Sequence, residues 1–580
     1  MALQFEAPAV EADREVSFRI GAAERVADGE ASQARWDHET DVLIVGFGGA
    51  GAAAALQARE CGADVIVADR FRGGGATAFS GGVIYAGGTS FQREAGFDDT
   101  PDAMLRYLSM EYQGCVSSDT LQRFCNDSQN DVQWLVSHGV PFSGDAVLGK
   151  TAYPPDDKYL YFSGNEKVAT YSAKAKPAPR GHRAIGTGFT GYVFFAKLQQ
   201  AVSRSGARIM LHMSARRLIV DDGGRVLGVE FVAIPEEHRT EHQAIYDRVH
   251  PHKPFGGTAA EEAIEAEREF IARVGVPCRV RARSGVVLAT GGFVYNLDML
   301  HKYRPELAER QAALARLGSM GCQGNGIELG ESVGGATRFM DSAFVARLIA
   351  PPNGLIKGIA VNRNGNRFIN EEIYCGFLGD AIARQPDATG WIVLDSKGFW
   401  TVVRECLNFD RALFKIYLLP TLMNLVMGGT KKARTLAGLA RKLGIPATAL
   451  QATVDANNRA AAGEDDAFGK SSVNRSVIRN GPFYAVNIST ANKYSFTQVF
   501  TLGGLEVDER TGGVVDASGR TIEGLYAAGR VAVGLCSIGY VSGMAIADAI
   551  FSGRRAGSAA AGRGLSSTSA NAAKYVSAPR

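Results

Sequence analysis

The chain has 580 residues, which exceeds a single hydrophobic core, so two packed domains with terminal tails are expected. Its formal net charge of +3 gives no reason to expect nucleic acid as a partner, and 46% hydrophobic residues are typical of a globular protein. No uncharged apolar run reaches the roughly 18 residues that a membrane-spanning helix needs. Residues 1–36 lack the apolar segment of a secretory signal.

The cysteine and histidine residues give no sign of a metal or haem site. The eight cysteines never form C-x-x-C, and the histidines lack ligand-like spacing with carboxylates or cysteines, so no metal is predicted. The cysteines are interpreted as reduced thiols of a cytoplasmic protein, either dissolved or attached to the inner surface of a membrane.

A glycine-rich turn follows the first predicted strand, at residues 41–45. The turn reads Gly46-Phe47-Gly48-Gly49-Ala50-Gly51, an alanine-rich helix is expected at 52–61, and a second strand at 63–68 leads to Asp69. Glycines allow the tight turn and the close approach of a pyrophosphate to the helix N-terminus, and the carboxylate accepts hydrogen bonds from a ribose. This order predicts a dinucleotide-binding Rossmann unit.

A second glycine-rich loop favours FAD over NAD. Residues 72–82 contain five glycines, and a plain NAD domain has no use for such a loop directly after the second strand. Two later segments, 284–293 and 522–530, are also strand-like runs that end in glycine turns of the kind that reach a cofactor. A flexible surface loop is the alternative for 72–82.

These four segments, in this order, resemble the fumarate reductase and 3-ketosteroid dehydrogenase superfamily of flavoproteins over residues 38–560. The resemblance implies an α/β fold, a Rossmann-type FAD-binding domain with an inserted α+β substrate-capping domain. The expected parts are an N-terminal extension (1–37), the FAD-binding domain (38–329 and 493–561), the cap (330–492) and a disordered tail (562–580). A charged insertion at about 233–275 is expected to be helical and solvated, and helices are expected within the cap at 430–443 and 447–462.

The residues expected to contact FAD come from these motifs and their neighbours. Because no histidine lies within 70–82, FAD is expected to be bound non-covalently. The expected contacts are Gly46, Gly48, Gly49, Ala50, Gly51, Asp69, Arg70, Gly74, Gly75, Ala76, Thr77, Ser80, Gly81, Gly82, Ala215, Thr290, Gly291, Gly292, Gly529, Arg530, Met544 and Ala545.

The substrate motifs distinguish the branches of the superfamily. Fumarate reductases resemble one another in an arginine a few residues after an Asn-Glu pair, whereas this chain has Tyr374 and Cys375 at that place. The last motif, Tyr540-x-Ser542-Gly543, resembles the 3-ketosteroid dehydrogenases. Together with Ser-Gly-Arg-Arg-Ala-Gly at 552–557, it is closer to the branch that oxidises 5α-reduced 3-ketosteroids at position 4. A steroid or another hydrophobic ketone is therefore the expected substrate.

The expected reaction removes a proton next to the ketone and transfers the β hydrogen as hydride to the flavin, giving a conjugated enone. Tyr540 and the backbone around Gly543 begin a helix expected at 541–550, where donors stabilise an oxyanion. Tyr374, relayed through Ser542 or Tyr540, is the candidate partner for proton transfer. The sequence does not decide which of the two phenols is the base. The alternative is that these tyrosines are packed in an apolar wall and take no part in catalysis.

The route of the electrons is open. Because no second dinucleotide, haem or cluster motif is present, an external acceptor such as a quinone or an electron carrier is expected. The alternatives are a reductase of an activated alkene, as in fumarate reductase, and a flavin-binding protein without catalysis.

The segment Leu413 to Met427 is strongly apolar and is flanked by lysines. It is too short to span a bilayer. It is interpreted as a hydrophobic entrance or a membrane-surface contact, with a buried core helix as the alternative.

Overall fold

A computed structural model describes residues 20–27, 35–112, 114–149, 151–252, 258–407, 418–495 and 497–562. The expected tail lies outside this range except for its first residue, and so does the 413–417 part of the apolar segment. Of the N-terminal extension, the described strand Glu24–Arg25 pairs in parallel with Met213–Val220 and so joins the main sheet.

The main sheet carries the dinucleotide-binding unit. Parallel pairing of Val42 with Val65 and of Val45 with Ala68 places the ends of the first two motif strands side by side. The strands, in spatial order, are Glu24–Arg25, Met213–Val220, Val226–Ala233, Val276–Leu288, His38–Val45, Val65–Asp69 and Arg208–Leu211, with Thr521–Ala527 beside the end of Val276–Leu288 and Gly513–Val515 beyond it.

The C-terminal helix Met544–Ala560 packs against the first Rossmann helix, Gly49–Glu60. Small residues allow this contact, because a Cβ at Gly553 would lie 2.5 Å from the Ala50 carbonyl oxygen and one at Gly557 would lie 2.2 Å from that of Ala54. The chain thus returns to the dinucleotide unit at its end.

Smaller sheets lie beside the main one. In the segment expected to form the cap, Ile359–Val361, Trp391–Leu394, Phe483–Asn487 and Lys431–Ala433 pair in this order, all antiparallel. The other sheets are Leu314–Arg316 with Thr497–Thr501 and Ala343–Ala346; Thr337–Arg338 with Gly504–Leu505; and Val83–Tyr85, Gly181–Arg183, Leu160–Tyr161 and Ala146–Val147.

Helices cover the sheets, so the predicted α/β class is confirmed. The α-helices are Gly49–Glu60, Gly75–Phe79, Ser90–Glu94, Pro101–Glu111, Ser118–Ser137, Ala169–Ser172, Gly191–Arg204, Arg239–Tyr246, Ala259–Val274, Leu297–Tyr303, Pro305–Ala308, Asn325–Glu331, Cys375–Ala383, Ser396–Leu407, Leu419–Met427, Leu436–Leu443, Ala447–Ala461 and Met544–Ala560. No helix of the described segments is long and apolar enough to cross a bilayer.

The charged insertion needs a correction. It leaves and rejoins the sheet where Ala233 pairs with Val276, and it forms the helices Arg239–Tyr246 and Ala259–Val274. Both helices are amphipathic, and their apolar faces are buried in a core that includes Phe71. Only the outer faces are solvated. In an amphipathic helix the charged residues lie on one side and the apolar residues lie on the other.

Candidate functional site

A long cleft runs from the ends of the central parallel strands to the edge of the cap segment. At its base the chain turns sharply at Gly46, with φ of 103°, and a Cβ there would lie 2.5 Å from the Ala289 carbonyl oxygen. Only glycine tolerates this conformation and this proximity. The tight turn expected from the sequence is therefore present.

Asp69 organises the wall of this turn. Its carboxylate accepts hydrogen bonds from the backbone N–H of Phe47 at 2.7 Å and of Phe71 at 2.8 Å. Burial raises the pKa of the carboxyl against the opposing effect of these bonds. Because a carboxylate has about four lone-pair sites, it retains capacity for ribose hydroxyls.

The first Rossmann helix presents its N-terminus to the cleft. Its N-cap is Gly48, which provides no side-chain cap, and the Gly49 N–H donates to the Thr77 hydroxyl at 3.0 Å. Exposed N–H groups at such a terminus bind phosphate. The buried Thr290 hydroxyl in the same wall has no hydrogen-bond partner within the described part of the chain, so it is a further polar contact for a ligand.

The structure brings most of the expected cofactor residues together in the wall of the cleft. Those in the wall are Gly46, Gly48, Gly49, Ala50, Asp69, Arg70, Gly75, Ala76, Thr77, Ser80, Gly81, Ala215, Thr290, Gly291, Gly529, Arg530 and Ala545.

The other five do not line the cleft. They are Gly51, Gly74, Gly82, Gly292 and Met544. A Cβ at Gly51 would lie 1.9 Å from the Gly46 oxygen and one at Gly292 2.4 Å from the Thr501 hydroxyl, while Met544 is fully buried. At Gly51 and Gly292 the glycine makes room for neighbouring protein atoms and not for a ligand.

Residues from the insertion complete the wall, and sequence reasoning missed them. Tyr246, Pro251 and His252 line the cleft. Behind them the buried Glu267 binds Arg70 through two hydrogen bonds of 2.6 Å. The sequence carried no signal for these contacts, since the insertion has no motif in common with cofactor loops.

The other end of the cleft is aromatic. The ring of Tyr540 lies 4.8 Å from that of Phe344, 5.0 Å from that of Phe500 and 6.4 Å from that of Tyr374, between centroids. Burial raises the pKa of both phenols. The Tyr374 N–H donates to Asn165 Oδ1 at 2.6 Å, which fixes the start of its helix.

Ser542 lies in the same wall, and its partner is a residue that the sequence analysis missed. The hydroxyls of Tyr161 and Ser542 are 2.8 Å apart, and Tyr161 is fully buried. Tyr161 belongs to a two-residue strand far from the other motifs in sequence. Only its tyrosine identity could have suggested it, and tyrosine is common in strands.

Gly543 fixes the turn that carries Tyr540 and Ser542. Its φ is 98°, its N–H donates to the Tyr540 hydroxyl at 3.3 Å, and its carbonyl accepts from the Tyr85 N–H at 3.2 Å. A Cβ there would lie 2.9 Å from the Tyr85 nitrogen. All four expected catalytic groups, Tyr374, Tyr540, Ser542 and Gly543, thus share one end of the cleft.

Three described arginines line the cleft, and they do not converge on this aromatic end. Arg70 is held by Glu267, and Arg216 lies beside Ala215 on the strand Met213–Val220. Arg530 alone is near Tyr540, with its guanidinium 5.0 Å from the centroid of Phe500. At this end of the cleft, a pair of substrate carboxylates would therefore find one of these three guanidinium groups nearby.

A family model described as "FAD binding domain" matches residues 41–543, most of the chain. The chain belongs to this FAD-binding family. The predicted cofactor, FAD, and the predicted oxidoreductase class are therefore confirmed. The glycine turn, the uncapped helix N-terminus and the Asp69 carboxylate of this FAD-binding protein fit a dinucleotide.

The FAD-binding protein is similar to steroid dehydrogenases and to fumarate reductases. It is 37% identical to a 3-oxo-5-alpha-steroid 4-dehydrogenase of Comamonas testosteroni, covering 86% of this chain and 94% of the relative. It matches the crystal structure of 3-ketosteroid-delta4-(5alpha)-dehydrogenase from Rhodococcus jostii RHA1 with a TM-score of 0.75 and 32% identity, covering 93% and 99% of the two chains. A fumarate reductase (cytochrome) of Shewanella frigidimarina is 25% identical over 92% of this chain and 79% of the relative.

Proposed function

We propose that this protein is an FAD-dependent dehydrogenase of 3-ketosteroids that introduces a double bond next to the ketone, at position 4 of a 5α-reduced ring. The observation that carries the proposal is the pairing of Tyr540 and Tyr374 between aromatic rings, without a cluster of arginines in the described cleft. Such a surface suits a flat, apolar molecule with one neutral carbonyl. The names of the two steroid-dehydrogenase relatives support the same substrate class.

The two phenols have different environments and therefore different proposed roles. Tyr540 accepts the Gly543 N–H at the start of a helix, and this bond, with the nearby Arg530, opposes the rise in its pKa. Both effects stabilise a phenolate, so Tyr540 is the proposed base for the proton next to the ketone. Tyr374 is buried among groups that raise its pKa further, so it stays protonated and donates to the ketone oxygen as negative charge develops there.

Ser542 completes the proposed proton path. Its hydroxyl, hydrogen-bonded to Tyr161, accepts or donates a proton with little movement of heavy atoms. FAD, when bound, would supply the acceptor for the hydrogen that leaves the neighbouring carbon as hydride. The residues proposed to hold it are those of the cleft wall around Gly46–Ala50, Asp69 and Gly75–Thr77.

Binding of FAD is proposed to be non-covalent, because no histidine lies on the loop at 70–82. The electrons are proposed to leave to an external acceptor, a quinone or an electron carrier. Contact with a membrane surface is part of the same proposal, since sterols and quinones partition into bilayers.

Anaerobic mixing with a saturated 5α-3-ketosteroid tests the function. The flavin absorbance of the holoenzyme should bleach while a conjugated enone forms in equal amount. A 5β-reduced isomer is the matched control, and we expect it to react more slowly. If the dithionite-reduced enzyme is reoxidised by fumarate and not by a steroid enone, the protein is an alkene reductase of the fumarate type and the proposal is wrong.

A further inference from the structure

Two neighbouring helices of the cap segment expose large apolar side chains. On Ser396–Leu407 these are Trp400 and Leu407, and on Leu419–Met427 they are Leu419, Val426 and Met427. Val426 is 83% exposed and Leu407 70% exposed. The spacing of seven residues in Trp400–Leu407 and in Leu419–Val426 places each pair on one face of its helix.

The two helices and the strand Lys431–Ala433, which follows them in the chain, form one surface around the strand Phe483–Asn487. The helices contact each other, and both pack on the strand Phe483–Asn487. Trp400 lies 5.7 Å from Phe399, Phe399 stacks on Tyr484 at 3.8 Å, and the Lys432 ammonium lies 5.4 Å from the ring of Tyr484. Exposed apolar and cationic side chains are therefore near neighbours here.

The surrounding sequence is strongly basic. Residues 396–445 contain nine lysines and arginines against two acids, whereas the whole chain has a net charge of only +3. One of the two acids, Glu405, accepts the Gly354 N–H at 2.7 Å and is only partly exposed. The exposed cations within the described part are Lys397, Arg404, Lys431, Lys432, Arg434, Arg441 and Lys442.

We propose that this surface binds a bilayer that contains anionic phospholipid. Its members, called the docking surface below, are Trp400, Leu407, Leu419, Val426 and Met427 with Lys397, Arg404, Lys431 and Lys432. Apolar side chains that insert below the headgroups, ringed by cations that meet lipid phosphates, are the pattern of a protein that lies on a membrane. A second copy is a poor occupant, because a two-fold contact would bring two basic surfaces together.

The position of the docking surface relative to the cleft fits this partner. Leu418, which directly precedes the second helix, and Leu425 within it are buried in the same apolar core as Tyr153. Tyr153, Leu348 and Phe189 are part of this core or pack against it, and they also line the cleft. One cap core thus separates the docking surface from the cleft, so the bound enzyme would hold its cleft close to the lipid. This assignment rests on the membrane contact proposed above, whereas lipid binding itself is tested without any steroid.

Co-sedimentation of the full-length holoenzyme with vesicles tests the proposal. We expect binding to vesicles that mix phosphatidylcholine with phosphatidylglycerol, weak binding to phosphatidylcholine alone, and loss of binding as salt rises. Lys431→Glu with Lys432→Glu, and separately Trp400→Ser with Val426→Ser, should each lower the partition coefficient about tenfold or more. The matched controls are Lys174→Glu with Lys176→Glu and Leu148→Ser with Val473→Ser, which are exposed outside the docking surface.

The fluorescence of Trp400 provides a second readout. We expect a blue shift of tryptophan emission on adding anionic vesicles, and its absence in Trp400→Phe. The proposal is overturned if the wild type does not bind these vesicles or if control and surface variants lose binding equally. It is also overturned if size-exclusion chromatography shows a dimer that the Trp400→Ser, Val426→Ser variant abolishes. Flavin content and melting temperature of each variant show that folding is retained.

Discussion

The hydroxyl of Tyr161 lies 2.8 Å from the hydroxyl of Ser542, although the two residues are 381 positions apart in the chain. Tyr161 reaches the turn from a small sheet, and the Ser542 N–H donates to the Ser163 carbonyl oxygen of the same segment at 3.2 Å. The turn that carries Tyr540 is therefore held by two hydrogen bonds between Ser542 and this segment. Burial raises the pKa of Tyr161, while the bond to Ser542 opposes that rise.

Tyr161→Phe should lower kcat by about tenfold, because Ser542 loses its partner for proton transfer. In a double-mutant cycle with Ser542→Ala, the combined loss should be much smaller than the product of the single losses, since both changes remove one interaction. Tyr159→Phe, two residues earlier and outside the cleft wall, is the control. If the loss of kcat in the double variant equals the product of the two single losses, the pairing is contradicted.

Tyr540→Phe and Tyr374→Phe should separate the two phenol roles. We expect Tyr540→Phe to lower kcat by about 10² or more and to remove the rise of kcat with pH, because the phenolate is the reactive form. Burial raises the pKa of Tyr540 above its ordinary value, so this rise should extend into the alkaline range. Tyr374→Phe should lower kcat at every pH and keep the rise. If Tyr374→Phe is the variant that loses the pH dependence, the proposed roles are reversed. Tyr526→Phe, on the strand Thr521–Ala527 and outside the cleft wall, is the control for both substitutions.

Glu111 should make the protein less stable as the pH rises. It is bound by Tyr107 and by Asn165, which also holds Tyr374, and burial raises its pKa from 4.5 to about 7. Between these two values the unfolded chain releases the proton while the folded chain retains it, so rising pH favours unfolding. The free energy of unfolding should fall by roughly 3 kcal/mol over this window from this group.

Glu111→Gln should remove this contribution, because an amide does not ionise. Urea titrations at several pH values would then show the variant gaining stability relative to wild type as the pH rises from 4.5 to 7. The exposed Glu94→Gln serves as the control. A stability difference that does not change with pH would show that Glu111 is ionised in the folded protein.

Glu267→Gln should weaken FAD binding, although Glu267 itself does not line the cleft. The carboxylate binds Arg70 twice at 2.6 Å and lies 3.3 Å from the His242 ring nitrogen. Losing one charged hydrogen bond should release Arg70 and raise the Kd of FAD for the apoprotein by about tenfold. Glu265→Gln, on the exposed side of the same helix, should leave it unchanged. An unaltered Kd in a folded Glu267→Gln protein would mean that Arg70 does not contact FAD.

Local patterns predicted the dinucleotide unit well. The strand expected at 41–45 spans His38–Val45, the helix expected at 52–61 spans Gly49–Glu60, and the helix expected at 447–462 spans Ala447–Ala461. The prediction of a helix at 430–443 was wrong for its first residues. Lys431–Ala433 forms a strand against Phe483–Asn487, and the helix spans Leu436–Leu443. That pairing depends on a partner about fifty residues away, which local propensity does not encode.

The helix expected at 541–550 shows the same limit. It begins at Met544, because Gly543 takes a left-handed conformation that holds Tyr540 and Ser542 in a turn before the helix. The sequence showed a helix with glycine near its start. The close approach of Tyr85 to that glycine, which demands the turn, is a tertiary contact.

The sequence by itself determined the cofactor class, because a glycine turn and its helix form within one short stretch of chain, and it supplied the candidate phenol and hydroxyl groups. Only the tertiary structure decided which groups meet: Tyr161 with Ser542, Glu267 with Arg70, and the rings of Phe344 and Phe500 with Tyr540. These contacts join residues that are distant in the chain. They are stabilised by the packing of elements against one another, so the spacing of residues within one segment does not predict them.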